Sequence, residues 1–148
     1  MTLCFEFIEK IIHGKETIQQ GQVSFGEHSQ STHLGSCVSI IVLSKSRNVG
    51  GLSHVVGRET SIGDYNFAEM VIDYFQSLEK PFGPFDYYAV GGSDNCLFVL
   101  EDVERQFNLR MIHYEKLDVL GMYYRHVLLI PQEHKLMIHK KSLFQTIG

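Results

Sequence analysis

The sequence predicts an α+β domain: layered, mixed β-sheets in a sandwich-like arrangement, flanked by about two main helices. Three observations carry that expectation. Strand candidates outnumber helices, several of them are linked by turns too short for a helical crossover, and residues 66–79 carry an apolar stripe of period 3.6. No linker, repeat or low-complexity stretch divides the chain, so residues 1–148 are expected to form a single domain.

Taken in order, Leu3, Phe7, Ile8, Ile11 and Ile12 recur at helical spacing and predict a short N-terminal helix stopped at Gly14. Residues 17–25 read as extended. Residues 38–43 are an apolar, largely β-branched run broken only by Ser39, which predicts a buried strand. Ser44-Lys45-Ser46-Arg47 breaks it, and a second strand carrying Gly50-Gly51 resumes over 48–56. In the helix at 66–79 the stripe is Phe67, Met70, Val71, Tyr74, Phe75 and Leu78, with Asp64 as candidate cap and Pro81 as the expected stop. Residues 86–90 read as a short strand ending in Gly91-Gly92-Ser93. A second helix is expected over 95–108, with Leu100, Val103 and Phe107 on one face. Residues 109–114, 126–130 and 135–139 complete the strand candidates, the last two joined through Pro131-Gln132-Glu133.

Composition narrows the function. A formal net charge of −4 with 13 scattered basic residues argues against nucleic-acid binding, which needs clustered Lys and Arg to neutralise phosphates. No apolar run reaches the roughly 18–20 residues of a membrane span. Glu6, Glu9 and Lys10 also interrupt any signal-peptide core, so a cytoplasmic protein without membrane insertion is expected. Cys4, Cys37 and Cys96 are an odd set without a Cys-x-x-Cys pair, which disfavours a disulfide framework and fits a reducing compartment. No two histidines lie at the i, i+4 spacing of a helical zinc site, and neither a metal nor another cofactor is expected.

The chemistry concentrates in Ser31-Thr32-His33-Leu34-Gly35-Ser36-Cys37-Val38 and Gly50-Gly51-Leu52-Ser53-His54. Small residues crowd before Cys37, where glycine lets the backbone turn sharply and a substrate come close. The amides around Gly35 and Ser36 are candidate oxyanion donors. If 44–47 is a four-residue loop, Leu43 pairs with Asn48 and Cys37 lies directly opposite His54. Opposed residues hold their Cβ atoms about 4.5–5.5 Å apart, within reach for a thiol–imidazole pair. A hydroxyl from Ser31 or Thr32 can then accept from the other ring nitrogen and fix the tautomer.

Leu34-Gly35-Ser36-Cys37-Val38, followed by Gly50-Gly51-Leu52-Ser53-His54 with the His seventeen residues after the Cys, resembles the chemoreceptor glutamine deamidases, the CheD family. Gly63-Asp64-Tyr65, Gly91-Gly92 and Asp118-Val119-Leu120-Gly121 with Arg125 are similar to later family elements in the same order. The resemblance covers roughly residues 21 to 140. It implies a Cys37 nucleophile, a His54 base and a third hydroxyl, for which the offset of six residues before the cysteine favours Ser31 over Thr32. It further implies deamidation of glutamines on the cytoplasmic region of chemoreceptors, in chemotaxis signalling. Two alternatives stay open: an adaptor that binds and modulates a chemotaxis phosphatase, and a related cysteine hydrolase with a different protein target. The sequence departs from the family at Val55-Val56-Gly57-Arg58, where a Met-Leu-Pro run is usual, and at Leu120, which replaces a glycine. Residues 1–15 have no family counterpart and read as an extra N-terminal segment.

Overall fold

The computed structural model describes residues 4–8 as backbone and residues 16–56 and 66–142 in full. Along the chain these form β1 (Cys4–Ile8), β2 (Glu16–Ile18), β3 (Val23–Gly26), β4 (Gln30–Leu34), β5 (Val38–Ser44), β6 (Gly50–Ser53), α1 (Phe67–Phe82), β7 (Phe85–Gly91), α2 (Leu97–Leu109), β8 (Glu115–Val119), β9 (Tyr123–Ile130) and β10 (Lys135–Ser142). One sheet has the order β1-β10-β9-β4-β2 and the other β3-β6-β5-β7-β8. Both are mixed. In the first, β1 runs parallel to β10 and β2 to β4; in the second, only β7 and β8 are parallel. The predicted layered α+β architecture is what the chain adopts.

The layers follow from β5, which is buried on both faces, as its largely apolar run requires. Val38, Ile40 and Val42 point to the helices, into a core with Val71, Ile72 and Phe75 of α1 and Val99, Val103 and Phe107 of α2. Cys37, Ile41 and Leu43 face the other sheet, against Leu34, Val127, Leu129, Leu136 and Ile138. The order is therefore sheet, sheet, helices. Each large apolar side chain fully buried at these contacts stabilises the fold by about 1.5–3 kcal/mol. Gly51 permits the close approach of α1 to β6: a Cβ there would meet the Phe75 ring at 2.8 Å and the Ser24 carbonyl at 2.5 Å.

Several expectations are corrected. Residues 4–8 form a strand rather than part of a helix, pairing with β10 from Cys4↔Lys135 to Ile8↔His139. A helix this short is marginal on propensity alone, and the open edge of β10 supplies a ladder instead. Gly14 and Asp64 lie outside the described residues; the cap of α1 is Asn66, whose side chain accepts from the Glu69 N–H at 3.0 Å. Pro81 does not stop α1, since the helix includes it and ends at Gly83, with φ 85°. The strand expected over 109–114 is instead the end of α2 and a turn containing Met111 at φ 54°, and β8 begins at Glu115. β4 was not predicted as a strand at all, because Gln30, Ser31 and Thr32 are polar; all three are nevertheless fully buried.

Candidate active site

The β5–β6 hairpin sets the geometry, and it differs from the sequence expectation by one residue on each side. β5 continues through Ser44, whose N–H bonds Val49 O at 3.0 Å, so the loop spans 45–48. The Ser44 hydroxyl caps that loop by accepting from Ser46 and Arg47 N–H at 3.3 and 3.1 Å. The observed pairs are Leu43↔Gly50, Ile41↔Leu52 and Val38↔Val55. In this register His54 falls opposite Ser39, and Cys37 is not directly opposed to it. The displacement is two residues, and side chains alternate with period two, so Cys37 and His54 stay on one face as diagonal neighbours. Diagonal positions are about 7–8 Å apart, within reach only for side chains that turn toward each other.

His54 is held from three directions. Its N–H donates to Gln22 O and its carbonyl accepts from Gly21 N–H, both at 3.0 Å. Its ring is 5% exposed and faces β4, where Thr32 Oγ1 lies 2.9 Å from Nδ1. The Thr32 hydroxyl also bonds the Ile18 carbonyl at 3.1 Å. A carbonyl can only accept, so the single hydroxyl hydrogen goes to Ile18 and Nδ1–H must donate to Thr32. That fixes the tautomer: Nε2 carries the lone pair. Nε2 is buried and makes no hydrogen bond among the described residues, to Cys37 or any other group. Burial, with a smaller contribution from His33, pushes the His54 pKa down to about 4, so the ring is neutral at pH 7.

The orienting hydroxyl is therefore Thr32, and the sequence preference for Ser31 is overturned. Adjacent strand residues face opposite ways, and Ser31 Oγ pairs with Thr17 Oγ1 at 2.9 Å on the far side of the sheet.

Cys37 sits where the chain crosses from one sheet to the other, and is 9% exposed. Its carbonyl accepts from Gly92 N–H at 2.8 Å. Gly91, at φ 110°, has to be glycine, because a Cβ would come within 2.5 Å of that same carbonyl. Behind the turn, fully buried Arg125 donates to Asp118 Oδ2 at 2.7 Å, to Gly92 O at 3.1 Å and to Leu120 O at 2.5 Å. The Asp118 and Arg125 pattern read in the sequence is thus a clamp on the turn that holds Cys37. Among the described residues the backbone N–H groups of Ser36 and Cys37 make no hydrogen bond, as oxyanion donors require. Burial pushes the Cys37 thiol up, the nearby Cys96 adds to the rise, and the Ser36 hydroxyl offsets part of it. Cys37 and Cys96 are both free thiols.

Sequence reasoning missed Ser39. It is fully buried, its hydroxyl has no partner among the described residues, and the register places it directly opposite His54. Ser53 bridges the adjacent gap in the ladder, accepting from Ile40 N–H at 2.9 Å and donating to Ile40 O at 3.0 Å. Only knowing the register could have singled out Ser39. A recess of about 290 Å³ opens beside the Cys37 loop, with Leu34 and Gly35 in its wall. A larger one of about 420 Å³ runs along α2 from Glu101 to Leu109 and includes none of these residues. No helix among the described residues is long and apolar enough to cross a membrane. A scan against protein-family models matches none, and a comparison with curated proteins finds no match.

Proposed function

We propose that this chain is a cysteine-dependent amidohydrolase that converts protein-bound glutamine to glutamate. The observation that supports this reading above all others is His54: a buried neutral imidazole, its tautomer set by Thr32, with an unprotonated Nε2 on the face that also carries Cys37. His54 takes the Cys37 proton as sulfur attacks the carboxamide carbon. The oxyanion is stabilised by backbone N–H groups at Ser36 and Cys37, in the loop that Gly35 opens. The His54 imidazolium then protonates the leaving ammonia. Water attacks the thioester, giving its proton to Nε2, and the departing Cys37 thiolate takes that proton back. In this reading the Ser39 hydroxyl opposite His54, unpartnered among the described residues, holds this water, since a buried water needs at least two polar partners. On the resemblance of Leu34-Gly35-Ser36-Cys37-Val38 and Gly50-Gly51-Leu52-Ser53-His54 to the chemoreceptor glutamine deamidases, the substrates are glutamines on the cytoplasmic signalling region of chemoreceptors. The chain would then work in the cytoplasm, without a cofactor.

One observation favours a second reading. The thiol is nearly closed off and not hydrogen-bonded to His54, which suits an adaptor docking on a chemotaxis phosphatase. The test is intact-mass analysis of candidate receptor fragments incubated with the protein, alongside ammonia release. The amidohydrolase converts amide to acid, and Cys37→Ala does not. An adaptor releases no ammonia with Cys37 intact, and a hydrolase of another target deamidates proteins other than receptors.

A further inference from the structure

The loop from Gly92 to Cys96, between β7 and α2, sits directly beside the nucleophile. Gly92 N–H donates to the Cys37 carbonyl at 2.8 Å. In an antiparallel pair the N–H and C=O of one residue point to the same partner. The Cys37 N–H therefore faces this loop as well, and it stays open because Gly92 O is taken by Arg125 Nη1 at 3.1 Å. Burial is the first cause of the raised Cys37 thiol, and Cys96, at the far end of the loop, is near enough to add to the rise. Asn95 is three residues beyond Gly92, at most about 11 Å of extended chain. The turn that Cys96 N–H closes on Ser93 O at 3.1 Å shortens that span.

The loop is fixed on its other side too. Asp94 N–H donates to Gly121 O at 3.2 Å, and Gly121 N–H donates to Asp94 Oδ1 at 2.8 Å, which turns this carboxylate toward Gly121. Ser93, 1% exposed, donates its hydroxyl hydrogen to Asn95 Oδ1 at 2.7 Å. That bond assigns the two ends of the Asn95 amide: Oδ1 is held by Ser93, and the Nδ2 donors point away from it. Asn95 is exposed, and its Nδ2 makes no hydrogen bond among the described residues. It caps no helix, since the N-cap of α2 is Cys96. An amide oriented by a buried hydroxyl, in a loop pinned at Gly92 and at Asp94, is a donor that needs no reorganisation when charge develops beside it.

We propose that Asn95 is a catalytic residue, its Nδ2–H donating to the carboxamide oxygen of the target glutamine as that oxygen becomes an oxyanion beside the Cys37 N–H. The proposal rests on the amidohydrolase reading and adds a side-chain donor to the backbone ones. As the Cys37 sulfur bonds to the carboxamide carbon, the C=O π pair moves onto oxygen and the thiol proton goes to His54 Nε2. When the pair returns, the C–N bond breaks and ammonia leaves with the proton from His54. The oxygen carries its full charge only between those two events, so the Asn95 bond acts on kcat rather than on KM.

The experiment uses the full chain and two probes. One is a receptor fragment scored by ammonia release and intact mass. The other is a peptide whose glutamine is replaced by the corresponding aldehyde, which adds to the Cys37 thiol to give a hemithioacetal with its oxygen in the same position. Asn95→Ala removes the donor without adding charge, and Asn95→Asp keeps the acceptor that Ser93 needs; circular dichroism checks both folds. In each, kcat is expected to fall about 100- to 1,000-fold with KM within about twofold, and the aldehyde to bind roughly tenfold or more weakly. Wild-type kcat in Asn95→Ala overturns the proposal and leaves the deamidase standing. A raised KM at unchanged kcat also overturns it, because Asn95 is then a contact made equally in the ground state. A wild-type chain that neither releases ammonia nor forms the aldehyde adduct removes the deamidase, and the proposal falls with it.

Discussion

Thr32→Val tests the orientation of His54 at constant shape. The substitution replaces the hydroxyl with a methyl and strands two buried groups, the His54 Nδ1–H and the Ile18 carbonyl. An orphaned buried polar group costs about 1–3 kcal/mol, and the two share one partner, so a loss of about 2–4 kcal/mol in unfolding free energy is expected. On the proposed amidohydrolase mechanism a catalytic effect comes on top of that. Without an acceptor at Nδ1 neither tautomer is preferred, the Nε2 lone pair is no longer guaranteed, and the ring can rotate. A fall in kcat of about 10- to 100-fold follows, at the lower end of what an acid–base role supplies because the imidazole itself remains. Urea unfolding reads the first quantity, and long-range ¹H–¹⁵N spectra of the imidazole read the tautomer directly. Thr32→Ser should restore both. Ser31→Ala should leave the tautomer and kcat intact, since its hydroxyl pairs with Thr17. A wild-type ring protonated at Nε2 and bare at Nδ1 would refute the reasoning outright, as would a Ser31→Ala variant that loses activity while Thr32→Val keeps it.

If the proposed mechanism holds, Ser39→Ala should let a covalent acyl adduct on Cys37 accumulate in intact-mass spectra, because the hydrolytic water assigned to Ser39 in that mechanism loses one of its partners. A hydroxyl without that role would leave the kinetics unchanged and, as a buried orphan removed, raise stability by about 1–3 kcal/mol. The His54 pKa of about 4 lies below the value of about 6.5 in the unfolded chain, so the unfolded state binds a proton that the folded state refuses. Stability contributed by His54 is whole above pH 6.5 and falls by about 3 kcal/mol as pH drops to 4, and denaturant unfolding of His54→Gln should show a flatter profile over that window. The raised Cys37 thiol should alkylate with iodoacetamide more slowly at pH 7 than a free thiol, with the rate climbing only above the ordinary thiol range; a profile at or below that range would contradict the burial described.

The layered fold was legible because its deciding segments are unambiguous. The β5 run is apolar but for Ser39 and the terminal Ser44. The α1 stripe repeats at helical period, although the buried face is centred on Ala68, Val71, Ile72 and Phe75, which leaves Met70 and Tyr74 of the expected stripe exposed. The site was only half legible. Cys37 and His54 stood out by their small-residue context, yet their register turned on whether Ser44 ended the strand or opened the loop. A hydroxyl that caps two backbone N–H groups from the strand's last position looks like a loop residue in sequence. β4 was missed for a deeper reason. Its buried face is polar: Gln30 reaches across to the Gly50 carbonyl at 2.9 Å and accepts from Ser24 at 2.6 Å, while Thr32 reaches His54. Hydrophobic periodicity cannot detect a strand buried through hydrogen bonds, and such strands concentrate where a protein has chemistry to position. Cys4–Ile8 failed in the opposite way, being ambiguous locally and decided by a partner more than a hundred residues away.

The shifts at Cys37 and His54 constrain how the pair can act. Both are neutral at rest, so no thiolate–imidazolium pair is stored. Even with a thiol at its ordinary value of about 8.5, moving its proton to an imidazole at about 4 is uphill by about 6 kcal/mol, and burial of Cys37 widens that gap. A turnover of about 1 s⁻¹ corresponds to a barrier of about 17 kcal/mol, so roughly two thirds would be left for the attack itself. Both shifts arise first from burying a lone charge, and that cost is offset when the two charges appear together. At about 4 Å and an effective dielectric of 20, their attraction is about 4 kcal/mol. The gain depends on contact. Diagonal neighbours about 7–8 Å apart at the backbone reach it only if the side chains turn inward. In the proposed amidohydrolase, the work of substrate binding is therefore to bring the Cys37 sulfur onto Nε2. Variants that loosen the Gly91-Gly92 turn or its Arg125 clamp should reduce kcat more than they raise KM, because they act on that closure rather than on the substrate.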